Sequence, residues 1–352
     1  MEPKNSSQIS DDSAVHRTSW GQRLALLTLG TVVGLGLAEG VVRIAGLAPE
    51  VVLVQEGRFR LSPNPKIGYE PVPDFEFEGK TDSFHDYIGV SNSLGFRDRE
   101  RAVAKPEGVR RILLLGDSVA AGQGIRKVEN AFPARVENAL VQAGLPIELL
   151  NFAVTGYNTQ QEVWTLHDKG LEFDPDLVLV SFCLNDRKRS DGGILPTLHA
   201  RAQGSEGVTR SRSDPRLLRS ALFRTLRYRL IHPPEAEPLE AGLSGDSVDA
   251  AMEFLARLRD EHGFRVLVVI FPRFGKLLEY RFAAEHESIT AVAEGHGFEV
   301  FDLLPAFQEC RRTEDDRLAA DSYHPTPLGH RCAADALERY LFDNAARLDL
   351  LP

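Results

Sequence analysis

The pattern that most restricts the fold is a series of five short apolar runs, at 112–115, 147–153, 177–183, 266–271 and 298–304. Each run is nearly free of polar residues, so a strand built from it is buried on both faces. Such strands belong to parallel sheets covered by helices, whereas a half-solvated antiparallel sheet would alternate. Amphipathic stretches with helical spacing lie at 130–143, 158–171, 247–262, 276–296 and 327–345. Right-handed crossovers between the strands then predict a three-layer α/β sandwich. In such sheets ligands sit at the carboxyl ends of the strands, so the residues just after each run carry the most information.

The ends of the chain read differently. Residues 1–22 are polar and predict a flexible tail. From 24 to 38 there is no charge, and the apolar character continues to Leu47 if Glu39 and Arg43 are tolerated. A span needs roughly 20 residues, and two opposite charges four apart can pair on one helix face. We therefore expect a transmembrane signal anchor over 23–47. A cleaved signal peptide ending near Gly36-Leu37-Ala38 and a buried soluble helix are the competing readings. Arg17 and Arg23 precede the apolar run closely, which favours an inside N-terminus and an extracytoplasmic body, periplasmic or at the cell surface.

Residues 48–107 predict a stalk with short strands, and 108–350 the main domain. Within that domain 187–245 is an insertion. Its 187–231 part holds ten arginines, one lysine and three acids, a net +8 in a chain of formal charge −10. The stretch 217–231 reads as a basic amphipathic helix, suited either to anionic surfaces or to covering the domain. The overall negative charge argues against nucleic acid as a partner. Three cysteines exclude a dense disulfide scaffold, their spacing suggests no zinc site, and a Cys310–Cys332 bridge is conceivable.

Polar residues gather at the predicted strand ends: Gly116-Asp117-Ser118 after the first, Asn151 to Asn158 after the second and Cys183-Leu184-Asn185-Asp186 after the third. Near the C-terminus stands Asp321-Ser322-Tyr323-His324-Pro325-Thr326-Pro327. A serine becomes a nucleophile when a base takes its proton and a third group orients that base. Asp321 and His324 can form that pair, with Thr326 capping the following helix and Pro327 at its first position. The N–H groups of Ser118 and Gly156 and the amide of Asn185 are suited to an oxyanion hole.

Each residue also has a plainer reading. Ser118 alone would be a helix cap, and His324 alone a solvated loop residue. His330 reads as structural, Asp117 and Asp186 as loop braces, Cys183 as inert packing, and Asp315 and Asp316 as solvated.

Taken in order, these blocks resemble the SGNH hydrolases, or GDSL-type esterases, over roughly 108–345. The resemblance implies an α/β/α sandwich with a five-stranded parallel sheet, flavodoxin-like in kind. It implies a triad of Ser118, His324 and Asp321 and an oxyanion hole of Ser118, Gly156 and Asn185. Two positions depart from the family pattern: Cys183 stands where a glycine is usual, and Val119 replaces leucine. The expected protein is a membrane-anchored serine esterase acting on acyl or acetyl esters of lipid or glycan, without metal or organic cofactor. An O-acyltransferase acting on cell-surface polysaccharide and a catalytically silent envelope-binding module are the alternatives. No oligomeric state is implied.

Overall fold

The computed structural model describes residues 19–45, 47, 58–75, 91–186, 194–195, 198, 220–226, 248–313 and 317–351. They fall into two compact units.

In the smaller unit, Trp20–Ile44 forms a helix of 25 residues, α1, long and apolar enough to cross a membrane. Ser19 and Gln22 form a capping box at its start. The two charges noted in the sequence do pair: Arg43 Nε donates to Glu39 Oε1 at 2.6 Å. Glu39 also accepts from the Ser220 hydroxyl and from the N–H groups of Ala221 and Leu222, each at 2.8 Å. These begin the short helix Ala221–Thr225 (α4), the described part of the basic stretch. A carboxylate in an apolar helix is thus satisfied by orphan donors of another helix start. Most of the 187–245 insertion lies outside the described residues.

The larger unit holds a hairpin of β1 (Phe59–Leu61) and β2 (Tyr69–Pro71) and a five-stranded parallel sheet. The sheet strands are β3 (Arg110–Gly116), β4 (Ile147–Asn151), β5 (Leu177–Cys183), β6 (Arg265–Phe271) and β7 (Glu299–Asp302), in the order β4-β3-β5-β6-β7. Along β3, Leu113 and Leu115 face one core while Ile112 and Leu114 face the other. The first core is covered by α3 (Thr159–Thr165), α5 (Val248–His262) and α6 (Ala283–Gly295) through Val163, Leu255 and Ile289. The second is covered by α2 (Phe132–Gln142), α7 (Leu304–Thr313) and α8 (Pro327–Asp343) through Val136, Phe307 and Leu337. This is the three-layer α/β/α sandwich that the apolar runs predict. Strand order reverses direction between β3 and β5, so the crevice at their carboxyl ends is the topological switch point.

Several elements differ from their predicted extents. The 158–171 helix is regular only to Thr165, then loosens through Leu166–Gly170 and Leu171–Phe173 and ends at Asp174 with φ 51°. Gly170 is pressed against the sheet there, where a Cβ would lie 2.8 Å from Leu113. Only 283–295 of the expected 276–296 helix is α-helical. The last strand stops at Asp302, whose carboxylate accepts from the Leu304 N–H at 2.8 Å and starts α7, a helix the apolar pattern did not reveal. The described residues from 58 to 107, expected as a stalk, group with the sandwich, with Phe59, Ile67, Tyr69 and Phe96 in its first core. Arg111 on β3 is fully buried; its guanidinium binds Glu148 at 2.8 Å and the carbonyls of Ala102, Val103, Ala104 and Phe173. It thereby ties 102–104 to the sheet.

Candidate active site

β3 ends at Gly116, where the chain turns sharply; a Cβ there would lie 2.6 Å from the Ala120 Cβ. Asp117 is fully buried and shapes the turn by accepting from the Val119 N–H at 2.8 Å. Ser118 is thereby presented at the switch point. Asn185, just after β5, reaches across the crevice: its Nδ2 donates to Asp117 Oδ2 at 3.0 Å. One N–H of that amide is committed to Asp117, which fixes the direction of the other.

The second block arrives beside them. Beyond β4 the chain keeps pairing with β3, through Phe152 N to Leu114 O at 2.8 Å and Val154 N to Gly116 O at 2.9 Å. It then turns at Gly156, whose φ of 81° is the left-handed conformation that favours glycine. Asn158 then caps α3, accepting from Gln161 N at 3.0 Å. Among the described residues, the N–H groups of Ser118 and Gly156 have no hydrogen-bond acceptor.

The last block comes from the loop before α8. Ser118 Oγ lies 2.8 Å from His324 Nε2, and His324 Nδ1 lies 2.7 Å from Asp321 Oδ2. The other Asp321 oxygen accepts from the N–H groups of Tyr323 and His324, both at 2.8 Å. Burial works against ionisation of Asp321, but His324 and these two N–H groups outweigh it and hold the pKa at about 2. The loop itself is pinned. Thr326 caps α8 at Gly329, where a Cβ would meet the Leu318 carbonyl at 2.0 Å. Phe274 N donates to the Ser322 carbonyl at 2.8 Å. The structure thus brings Ser118, His324 and Asp321 into one hydrogen-bonded line, with Asn185 linked to it through Asp117.

The neighbouring residues have separate tasks. Asp186 accepts from the Cys183 N–H at 2.7 Å and closes the turn after β5. Cys183 is buried, and burial together with Asp117, Asp186 and Glu162 pushes its thiol well above the ordinary range, so it is no competing nucleophile. His330 Nδ1 accepts from the Phe132 N–H at 3.1 Å, capping α2. Burial, with Arg97 and Arg135 nearby, lowers its pKa to about 3.

One buried acid beside Asp117 was missed in the sequence. Glu162 on α3 is buried with both carboxylate oxygens unpartnered, and burial reinforced by Asp117 raises its pKa well above the usual range. Read locally, it is one more polar residue in a helix's first turn. Among the described residues no cluster of histidine, cysteine and acidic side chains could hold a metal ion.

The order of strands and the line of hydroxyl, imidazole and carboxylate at their carboxyl edge place this unit among three-layer α/β/α hydrolases. Residues 114–332, more than half of the chain, match the model of the GDSL-like Lipase/Acylhydrolase family. The chain belongs to that family and is an ester hydrolase. Solved structures similar to it include one described as TesA, 14% identical over 66% of this chain and 98% of that one, with a TM-score of 0.43. Another is the acetyl xylan esterase AlAXEase, 16% identical over 66% and 99% of the two chains, with a TM-score of 0.41. A third is the lipase/acylhydrolase from Enterococcus faecalis, 18% identical over 67% and 96%, with a TM-score of 0.41. No curated protein matches the chain in sequence.

Proposed function

We propose that this protein is a membrane-anchored serine esterase that hydrolyses acyl or acetyl esters through an acyl-enzyme. The observation that carries the reading is the continuous line from Ser118 Oγ through His324 to Asp321, with contacts of 2.8 and 2.7 Å. Ser118 attacks the ester carbonyl while its proton passes to His324 Nε2. Asp321 accepts from Nδ1, which keeps Nε2 free as the base and stabilises the imidazolium. The carbonyl oxygen gains a negative charge, met by the N–H groups of Ser118 and Gly156 and the side-chain amide of Asn185. His324 then gives the proton to the departing alkoxide, and the acyl group remains on Ser118. Water, deprotonated by the same imidazole, releases the acid.

Two observations support an exported, membrane-held enzyme. Helix α1 has the length and composition of a span, and Cys310 is bridged to Cys332, a bond that persists in oxidising compartments. A sugar hydroxyl in place of water would make the same acyl-enzyme an O-acyltransferase. The 187–245 insertion, where that choice could be made, lies largely outside the described residues.

The test is fluorophosphonate labelling of the full chain in membranes, beside Ser118→Ala and His324→Ala. Labelling that requires both residues is expected, and it should be accompanied by turnover of a short p-nitrophenyl ester. A folded wild type that neither labels nor turns over would favour the silent binding module instead.

A further inference from the structure

Helix α3 and the Gly156 loop are gripped by a segment that precedes the family-matched region altogether. Tyr69 is fully buried, with its ring edge-on to those of Phe59 and Tyr157. Its hydroxyl donates to the Thr155 carbonyl at 2.8 Å. Arg58 Nη2 donates to Thr155 Oγ1 at 3.1 Å. Return bonds run from Tyr157 Oη to the Tyr69 carbonyl at 2.5 Å and from Gln161 Nε2 to the Ile67 carbonyl at 2.7 Å. Arg97 holds the other loop, donating to the carbonyls of Ala121, Gly122 and Ile125 just after Ser118.

The Thr155 carbonyl and the Gly156 N–H belong to one peptide group. That group is planar and trans, so its C=O and N–H point in opposite directions and turn together. A donor fixed on the carbonyl therefore fixes where the N–H aims. It also draws electron density toward the oxygen, which makes the N–H a stronger donor. At Gly156 this control matters more than elsewhere, because glycine leaves its flanking dihedrals loosely restrained. Arg58 adds a positive charge one residue away. Among the described residues it forms no ion pair with a carboxylate, and it lies over the Phe59 ring at 4.7 Å.

We propose that Tyr69 and Arg58 are positioning residues of the esterase: they aim and polarise the Thr155–Gly156 peptide as an oxyanion donor. The proposal rests on the assignment of Gly156 to the oxyanion hole. It makes the working catalytic unit begin near residue 58, not at the start of the family match.

The experiment uses the full chain in membranes or detergent, with Tyr69→Phe, Arg58→Met and Arg58→Lys. Rates are expressed per site titrated by fluorophosphonate, so a loss of folded protein does not enter. Losing one oxyanion donor costs about 10²–10³ in kcat, and a misaimed one less. Tyr69→Phe and Arg58→Met are expected to lower kcat roughly 10- to 100-fold with KM changed less than about threefold. Arg58→Lys should recover most of the loss. Amide exchange should rise in the peptide covering 154–158 for Tyr69→Phe. Values of kcat per titrated site within about twofold of wild type in both Tyr69→Phe and Arg58→Met would overturn the proposal and leave the esterase reading intact. An unlabelled, inactive wild type would instead remove the esterase reading and this proposal with it.

Discussion

Asp321 illustrates how a few local bonds set a chemical state. Its pKa of about 2 keeps it ionised throughout any working range. The acid limb of the pH–rate profile should therefore show one ionisation, that of His324, which cannot accept a proton once charged. A second acid ionisation above about pH 3 would contradict this assignment. Asp321→Asn should lower kcat by about 10⁴-fold, measured per titrated site, because the histidine tautomer is no longer enforced. His330 makes the opposite kind of prediction. Its folded pKa of about 3 lies below the unfolded value, so between pH ~6.5 and pH ~3 the unfolded chain binds a proton that the native one refuses. Stability should fall across that window by about 1.4 kcal/mol per pH unit from this residue, and the slope should flatten in His330→Asn. Denaturant titrations at several pH values would measure it. That Ser118, Asp321 and His324 are candidates was legible because each sits in a short motif with its own local grammar. Their meeting was expected only from the order of the motifs together; no single motif carries it, since Ser118 and His324 stand 206 positions apart.

At the scale of elements, the disulfide and the buried arginine make separable contributions. Cys310 on α7 and Cys332 on α8 close a loop across a sequence separation of 22 residues. Removing it with Cys310→Ser should cost about 3 kcal/mol of stability, read from thermal or chemical unfolding under non-reducing conditions. Arg111→Met would leave a ring of buried carbonyls and the Glu148 carboxylate without their donor. A loss of about 3–5 kcal/mol is expected, with the 102–104 segment becoming sensitive to protease. The helices and strands themselves were mostly legible, because burial on both faces leaves an unbroken apolar run and burial on one leaves a helical stripe. The exceptions are instructive. Helix α7 was hidden because the 298–304 run spans the strand end and the helix start, and the boundary is set by Asp302 accepting from Leu304. The 276–296 stretch breaks around Tyr280, whose hydroxyl instead accepts from the Arg273 N–H at 3.0 Å.

For the whole molecule, the paired charges Glu39 and Arg43 and the cap that Glu39 gives to Ala221–Thr225 predict that α1 keeps its partner helix when the chain is in a membrane. The full chain should resist alkaline extraction from membranes, and Glu39→Leu should expose 220–226 to protease without releasing the chain. Release of the wild type into the supernatant would contradict the anchor. The sequence alone determined the layers, the strand count and the chemical identities at the strand ends, because residue type and spacing report directly which faces avoid water. The tertiary structure alone decided how the loops at those ends are held, through Arg58, Tyr69 and Arg97. Tyr69 and Thr155, or Arg97 and Ala121, are linked by bonds that leave no periodic trace. Such contacts depend on strand order and on how the chain closes across the sheet, and neither is written in the local pattern.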